Sequence, residues 1–250
     1  MMADTNFLTT SQGRKLAYRH TATRSGKSFL WLSGFNSDMA GTKVTELEAW
    51  AVKTGHGFTA FDYSGHGQSD GEFEACTIAD WQEDTLAVLD EVTEGEIVLV
   101  GSSMGGWMAL LAQKARPARV SGLVLIAPAA DFTARLMWPH LPSEARFAIT
   151  QEGKWMMPSS YGDPVPITRA LIESGARHTV LGAPIDFDGP VRILQGMRDE
   201  DVPWKHAEAL VDTITSRDLT FTLVKDGDHS LSRPHDIARL LATCAEITAD

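Results

Sequence analysis

A serine between two glycines is the strongest candidate in the chain for covalent chemistry. Residues 101–105 (GSSMG) match the pattern G-x-S-x-G, and they follow a short apolar run and precede a helix-forming stretch. A sharp strand-to-helix turn of this kind holds a serine hydroxyl above a sheet, and its flanking positions must be small. Ser102 is the alternative, but its equivalent neighbours are Val100 and Met104. The pattern therefore predicts Ser103 as a nucleophile.

A histidine and a carboxylate placed later in the chain could activate this serine. A serine hydroxyl reacts only when a nearby base takes its proton, and histidine suits that role near neutral pH. His229 follows a predicted strand and precedes the last helix, whereas His235 lies inside that helix. The acid is expected between serine and histidine in chain order. Asp199 lies where a predicted strand ends and is our prediction for the acid that orients His229; Asp201 and Asp131 are the alternatives.

Two backbone amides are candidates for stabilising an oxyanion. The tetrahedral intermediate of acyl transfer carries negative charge on the former carbonyl oxygen, which N–H groups can bind. One is expected from Met104, after the nucleophile, and the other from Phe35 in the loop SGFN, 33–36. His66, in the motif DYSGHGQS (62–69), lacks the companions in close sequence pairs that metal sites need. We therefore predict a structural turn there and no metal site.

The elements that position these residues alternate along the chain. Amphipathic stretches at 42–53, 78–92, 107–114 and 234–246 predict helices. Short apolar runs predict strands, at 7–10, 16–20, 29–32, 58–62, 97–100, 123–126 and 221–224. Such alternation is typical of a mostly parallel sheet covered by helices. The sequence therefore predicts an α/β fold in a single domain, 1–250.

The segment from about 131 to 190 interrupts this alternation. It has no clear strand and is rich in prolines and aromatic residues. Because a structureless loop of that length is unusual inside a domain, we expect a helical cap inserted between two strands; the alternative is a solvent-facing insertion without contact to the site. Its large apolar residues are candidates for an acyl pocket or for packing the cap on the core: Trp138, Trp155, Met156 and Met157.

Composition excludes several classes of partner. A formal net charge of −11, without a cluster of Lys or Arg, argues against nucleic acid. Two distant cysteines imply no disulfide framework, and the apolar runs are too short to span a bilayer. The first residues resemble neither a secretory signal nor a transit peptide. We therefore expect a cytoplasmic protein without a transmembrane segment, and we predict no cofactor.

Four segments along nearly the whole chain match the pattern of one family. They are FDYSG (61–65), VGSSMGGW (100–107), WMMPSSY (155–161) and GMRDEDVPW (196–204). In these segments the chain resembles the α/β-hydrolase-domain proteins related to the mitochondrial palmitoyl-protein thioesterase that also cleaves acyl glucuronides. The resemblance implies the α/β-hydrolase fold and a triad of Ser103, Asp199 and His229. It also implies a serine esterase or thioesterase that cleaves small acyl esters or thioesters, or an acylated protein, through an acyl-enzyme.

Other functions are compatible with the same residues. A carbon–carbon bond hydrolase or a perhydrolase can use the same triad. Dehalogenases and epoxide hydrolases are disfavoured, because both use a carboxylate at the position of Ser103. A ligand-binding module with little turnover is the alternative from another class, since fold alone does not determine function. Such a module would be expected to lack a triad residue, and all three are present.

Overall fold

A sheet of eight strands forms the centre of the computed structural model, which describes residues 3–24, 26–158 and 163–249. The described residues contain two further strands, β7 and β8, outside this sheet. In chain order the strands are Asn6–Thr9 (β1), Lys15–Thr21 (β2), Ser28–Leu32 (β3), Gly57–Phe61 (β4), Ile97–Ser102 (β5), Val120–Ile126 (β6), Lys154–Met157 (β7), Val165–Thr168 (β8), Val191–Gly196 (β9) and Leu219–Val224 (β10). The order in the large sheet is β1-β2-β4-β3-β5-β6-β9-β10. β1 and β2 pair antiparallel with their neighbours, and the remaining pairings are parallel.

Helices cover both faces of this sheet. Their bounds are Thr42–Thr54 (α1), Ile78–Glu91 (α2), Met104–Ala115 (α3), Ser143–Phe147 (α4), Arg169–Arg177 (α5), Trp204–Thr213 (α6) and Pro234–Thr248 (α7). α1 and α7 bury Leu47 and Leu240 against one face, and α2 and α3 bury Trp81 and Trp107 on the other. The predicted α/β fold with a mostly parallel sheet is confirmed. Within the described ranges, no helix has the length and apolar character needed to cross a membrane.

The central strands are buried on both of their faces. Every residue of β4, β5 and β9 is buried, whereas the edge strands β1 and β10 keep exposed positions. Strands covered by helices on both faces of a parallel sheet are accordingly mostly apolar. Parallel strands also end at the same side of the sheet. The loops that follow β3, β4, β5, β9 and β10 therefore meet there, and we call this region, residues 33–41, 62–72, 103–104, 197–203 and 225–233, the carboxyl edge.

The chain between β6 and β9 leaves the sheet and forms an insertion, residues 127–190. It contains α4, α5 and shorter helical turns. It also contains β7 and β8, which pair antiparallel in a separate two-stranded sheet, although the sequence predicted no clear strand here. Each strand has only four residues, and Pro166 lies within β8, so neither has the long alternating run that reveals a strand. Ser159, Ser160 and Tyr161, part of the WMMPSSY segment, lie outside the described residues.

Candidate active site

Ser103 lies at the sharp turn between β5 and α3. Its φ and ψ are 54° and −117°, a backbone conformation that residues other than glycine rarely adopt. A Cβ added to Gly105 would lie 1.9 Å from the carbonyl oxygen of Leu32, and one added to Gly101 would lie 2.3 Å from the carbonyl oxygen of Gly105. Any side chain at either position would collide with backbone. The turn thus requires the glycine spacing from which Ser103 was predicted.

Three side chains from three different loops meet at the carboxyl edge. His229 Nε2 lies 3.1 Å from Ser103 Oγ, and His229 Nδ1 lies 2.8 Å from Asp199 Oδ2. Because an ionised carboxylate only accepts hydrogen bonds, the partners place the proton on Nδ1 and leave Nε2 free to accept from the serine hydroxyl. The structure therefore brings together the serine, histidine and aspartate that the sequence selected.

Asp199 has a fully buried side chain that accepts hydrogen bonds on both oxygens. Oδ1 accepts from the backbone N–H groups of Asp201 at 3.0 Å and Val202 at 2.7 Å. Oδ2 accepts from Gln195 Nε2 at 2.9 Å in addition to His229. These donors hold the carboxylate so that one oxygen faces the imidazole. Gln195 was not selected from the sequence, although an amide side chain in a strand that is buried throughout is a signal of a hydrogen-bonding role.

The alternative acids have other positions and contacts. Asp201 is exposed, and its backbone N–H, not its carboxylate, contacts Asp199. Asp131 is fully buried and accepts from the backbone N–H groups of Val180 at 2.8 Å and Leu181 at 3.0 Å. These bonds join the start of the insertion to residues 49 and 50 positions later in the chain. Asp131 therefore closes the base of the insertion and does not reach the imidazole.

One group among the described residues has side chains of the types and proximity that can ligate a metal. The ligand atoms of Asp199, Asp201 and His229 lie within 4.8 Å of one another. Within this group the Asp199 oxygens already accept from His229 Nδ1 and from two backbone N–H groups. The arrangement has the hydrogen bonds expected of an acid–base pair.

A lysine on α1 contacts the loop that carries the histidine. Lys43 Nζ donates to the carbonyl oxygen of Ser230, the residue that follows His229. Burial lowers the pKa of Lys43 to about 8, against the opposing influence of Asp228 and Asp236. The loop that carries His229 is therefore held by Lys43 of α1 as well as by the bond between His229 and Asp199. The sequence indicated no such role for Lys43.

The loop after β3 passes directly beside the nucleophile. A Cβ added to Gly34 would lie 3.4 Å from Ser103 Cβ. In the described part of the chain, neither the backbone N–H of Phe35 nor that of Met104 donates to a protein acceptor. Two N–H groups next to the serine are therefore available to a bound group, as predicted for an oxyanion hole. Their role there stays a prediction.

His66 contacts this loop from the neighbouring one. Its Nε2 accepts from the backbone N–H of Asn36 at 3.2 Å, and its Nδ1 lies 3.1 Å from the carbonyl oxygen of Ser64. Burial lowers the pKa of His66, which fits a neutral ring with its proton on Nδ1. The turn predicted from the DYSGHGQS motif is present: His66 N donates to the carbonyl oxygen of Tyr63, and Gln68 N donates to the Asp62 carboxylate. The sequence did not reveal that His66 contacts the Phe35 loop.

Aromatic rings pack around the Phe35 side chain. Its ring centroid lies 5.1 Å from that of Phe73, 5.8 Å from that of Trp81 and 5.4 Å from that of Phe132. These separations and inclined planes are typical of favourable aromatic pairs. Trp81 belongs to α2 and Phe132 to the insertion, so the loop beside the nucleophile is packed against both.

The four apolar residues proposed for an acyl pocket do not share one surface. Trp138, Trp155 and Met157 are half-buried and pack against the apolar cluster on the insertion side of the sheet. Met156 is 47% exposed and lies on the opposite face of β7, because successive side chains of a strand alternate. Met156 therefore faces away from the other three, and the role of these residues in an acyl pocket stays a prediction.

Comparison with known proteins identifies the family. The sequence pattern of the alpha/beta hydrolase family matches residues 29–240, most of the chain. The chain belongs to the alpha/beta hydrolase family. The predictions of an α/β-hydrolase fold and of a hydrolytic enzyme are thereby confirmed.

Relatives of this α/β hydrolase match it over nearly its whole length. Palmitoyl-protein thioesterase ABHD10, mitochondrial, of Mus musculus is 38% identical over 247 residues, which are 98% of this chain and 82% of the relative. The solved structure of alpha/beta hydrolase domain-containing protein 10 from mouse has a TM-score of 0.88 and covers 98% of each chain. A crystal structure of a protein from Agrobacterium vitis S4 is 43% identical, has a TM-score of 0.95, and covers 98% of this chain and 99% of its own. The similarity therefore includes the insertion as well as the sheet, and the predicted resemblance is confirmed.

The expectation of a cytoplasmic protein is wrong on this comparison. The relatives from mouse, cattle and rat, at 36–38% identity, are named mitochondrial. Our expectation depended on the lack of a recognisable targeting segment. Such a lack does not identify a compartment.

Proposed function

We propose that this hydrolase cleaves carboxylic esters or acyl thioesters through an acyl-enzyme on Ser103. The observation that carries the proposal is the position of His229 between Ser103 Oγ, at 3.1 Å, and Asp199 Oδ2, at 2.8 Å. A nucleophile in contact with a base, which is itself oriented by an acid, is the arrangement that acyl transfer uses. The thioesterase name of the mouse relative supports thioesters among the substrates.

In the first half of the proposed reaction, Ser103 Oγ attacks the carbonyl carbon and its proton passes to His229 Nε2. Asp199 stays ionised and stabilises the imidazolium through Nδ1. The protonated Nε2 then gives its proton to the departing alkoxide or thiolate as the bond to the carbonyl carbon breaks. The product of this half is an acyl ester of Ser103.

In the second half, water replaces the leaving group. His229 Nε2 takes a proton from a water molecule as its oxygen attacks the acyl carbon, and it returns a proton to Ser103 Oγ when the carboxylic acid departs. In both halves the carbonyl oxygen carries negative charge in the tetrahedral intermediate. The free N–H groups of Phe35 and Met104 are the proposed donors, and such donors stabilise the transition state more than the ground state.

We further propose that the chain is one catalytic domain. In this domain the insertion, which follows β6 in the chain, contacts the acyl group. Its half-buried apolar residues on the sheet side support this proposal: Trp138, Trp155 and Met157. Phe132 of the insertion also lies against Phe35 beside the nucleophile. An acyl chain leaving Ser103 on this side would meet an apolar and aromatic surface.

The proposed nucleophile is tested with Ser103→Ala. We expect the variant to lose labelling by a fluorophosphonate probe and to lose hydrolysis of p-nitrophenyl butyrate. Ser102→Ala is the matched control, because Ser102 is the neighbouring serine and ends β5. It should be labelled like the unmodified protein. Full activity of Ser103→Ala, or loss only in Ser102→Ala, would contradict the proposal.

The bond that is cleaved is tested with esters and matched thioesters of increasing acyl length. Measured kcat/KM values for the two series separate an esterase from a thioesterase. Labelling of Ser103 without turnover of either series would favour another reaction on the same triad.

If apolar residues of the insertion contact the acyl group, Trp155→Ala should raise KM for long chains more than for acetyl substrates. Equal effects on all chain lengths would place Trp155 outside the acyl site.

A further inference from the structure

We propose that His66 is a positioning residue for the oxyanion hole, because its Nε2 accepts from Asn36 and so fixes the backbone that presents the Phe35 N–H. The inference depends on the proposed function, since it requires that Phe35 donate to an oxyanion. His66 itself belongs to a different loop and does not contact Ser103 in any hydrogen bond of the described residues. Its effect on the reaction would therefore be exerted through the loop.

The loop after β3 forms a tight turn whose central peptide His66 holds. Ser37 N donates to the carbonyl oxygen of Gly34 at 3.3 Å, so Phe35 and Asn36 are the two central residues. Asn36 has a φ of 54°, whereas Phe35 does not have a positive φ. This combination belongs to type II turns, in which asparagine is one of the few residues tolerated at the third position. Type I and type II turns differ in the orientation of the central peptide. His66 accepts from the N–H of that peptide.

The Phe35 N–H lies between two fixed points of this turn. On one side, Gly34 packs against Ser103, with only 3.4 Å between an added Cβ and Ser103 Cβ. On the other side, Asn36 N donates to His66 Nε2 at 3.2 Å. Without that acceptor, the central peptide can rotate toward the type I orientation that most residues prefer. The turn would relax, and the Phe35 N–H would no longer be held in one position relative to the nucleophile.

His66 is itself held so that its acceptor faces the loop. Only 5% of the residue is exposed, and its Nδ1 lies 3.1 Å from the carbonyl oxygen of Ser64. Since a carbonyl oxygen only accepts, Nδ1 carries the proton and Nε2 is the acceptor. Gly65, which precedes it, has a φ of 73°, and a Cβ there would lie 2.7 Å from Phe73 Cα. The backbone before His66 thus packs closely against the backbone of Phe73, and the ring itself is held by its bond to Ser64.

His66 could also act merely by filling space, so the test must separate its ring from its acceptor. The ring centroid lies 5.1 Å from that of Phe73 and 5.3 Å from that of Trp81. Phe35 packs on the same two rings. A packing role and an acceptor role therefore both predict a lower kcat for His66→Ala, so this variant does not separate the two roles.

Two substitutions of opposite character separate these roles. His66→Phe keeps an aromatic ring and loses the acceptor, whereas His66→Gln loses the ring and can place Oε1 close to the position of Nε2. We expect kcat of His66→Phe for p-nitrophenyl butyrate to fall roughly 10-fold with KM little changed, which is less than the 10²–10³-fold typical for removal of a whole oxyanion donor. His66→Gln should keep a kcat several-fold above that of His66→Phe, even if its melting temperature is lower. If His66→Gln has the lower kcat, or if both variants match the unmodified protein, the inference is wrong.

A third variant keeps the test decisive if His66→Phe does not fold. His66→Asn can donate to Ser64 with its short amide but cannot reach Asn36, so its kcat should fall as in the Phe variant while His66→Gln stays higher. Equal kcat values for the Asn and Gln variants would overturn the inference. The proposed function fails separately, namely if the unmodified protein hydrolyses neither esters nor thioesters and Ser103 is not labelled.

Discussion

The carboxyl edge and the insertion are held by different kinds of contact. At the carboxyl edge, buried polar groups surround the proposed catalytic residues, and Asp199 accepts on both oxygens from side-chain and backbone donors. The insertion is closed at its base by Asp131 and is joined to α3 by a hydrogen bond from Trp107 Nε1 to the carbonyl oxygen of His178 at 3.0 Å. Farther out it exposes large apolar side chains, Phe147 at 60% and Met156 at 47%.

This difference indicates which properties can change independently. The sheet and its loops determine the relative positions of Ser103, His229 and Asp199, and these elements are fixed by buried strands. Because the insertion contributes none of these three side chains, we expect it to vary without moving them. Changes at the carboxyl edge should therefore alter kcat, and changes at the base of the insertion should alter stability first.

The largest expected effect comes from Asp199→Asn. The amide can donate to His229 Nδ1, which places the histidine proton on Nε2 and removes the base that Ser103 needs. We expect kcat to fall about 10⁴-fold, as for the same change in other serine hydrolases. Asp201→Asn is the control from the same loop, because its carboxylate is exposed, and it should stay within a few-fold in kcat. Steady-state kinetics with a p-nitrophenyl ester measures both; a larger loss in Asp201→Asn would assign the acid to Asp201.

A smaller effect, on stability instead of chemistry, is expected from Asp131→Asn. One carboxylate oxygen accepts the buried N–H of Val180 and the other accepts the half-buried N–H of Leu181, and the amide of asparagine can replace only one of these oxygens. Leaving a buried N–H unpaired costs roughly 1–3 kcal/mol, which at about 2–4 °C per kcal/mol lowers the melting temperature by several degrees. Differential scanning fluorimetry measures the shift. The kcat for an acetyl ester should change no more than a few-fold; a loss like that of Asp199→Asn would show that the two regions are not independent.

The sequence predicted the carboxyl edge better than it predicted the insertion. The G-x-S-x-G spacing, the strand that ends at Asp199 and the place of His229 before the last helix are local patterns. Each is set by backbone sterics or by chain order, and the structure brings these residues together. In the insertion, β7 and β8 are four-residue strands with a proline, and their pairing depends on contacts with the rest of the molecule. Local periodicity does not report such contacts.

The residues that support the site were the least predictable. Gln195 was missed although its partner Asp199 is only four residues away. Lys43 and His66 act through partners distant in the chain: Lys43 reaches the histidine loop from α1, and His66 contacts the turn at Asn36. Nothing in their immediate sequence specifies those partners. The side on which Met156 lies was also unpredictable, because the strand that sets it was not recognised.

The smallest expected effect compares two histidines through acid stability: His66, buried at the carboxyl edge, and His206, a half-buried residue of α6 that contacts Ala130 at the base of the insertion. Burial lowers the pKa of both His66 and His206 from the ordinary value of 6.5. Below pH 6.5 the unfolded chain therefore binds protons that the folded protein resists, so each histidine makes the free energy of unfolding decrease as pH falls, by at most about 1.4 kcal/mol per pH unit. Above pH 6.5 both contributions are constant. The decrease should be visible in chemical denaturation at pH 7.5 and 5.5.

The two histidines should differ in how protonation affects their hydrogen bonds. His206 donates to the carbonyl oxygen of Ala130 from Nε2 at 2.7 Å, and a protonated ring keeps that bond. His66 accepts at Nε2 from Asn36, and a protonated ring loses that bond. The nearby charge of Asp38 opposes the effect of burial, because it favours the protonated ring and so raises the pKa of His66. We therefore expect His66→Gln to reduce the loss of stability between pH 7.5 and 5.5 more than His206→Gln does. The reverse order would mean that the base of the insertion, and not the carboxyl edge, is the acid-sensitive region.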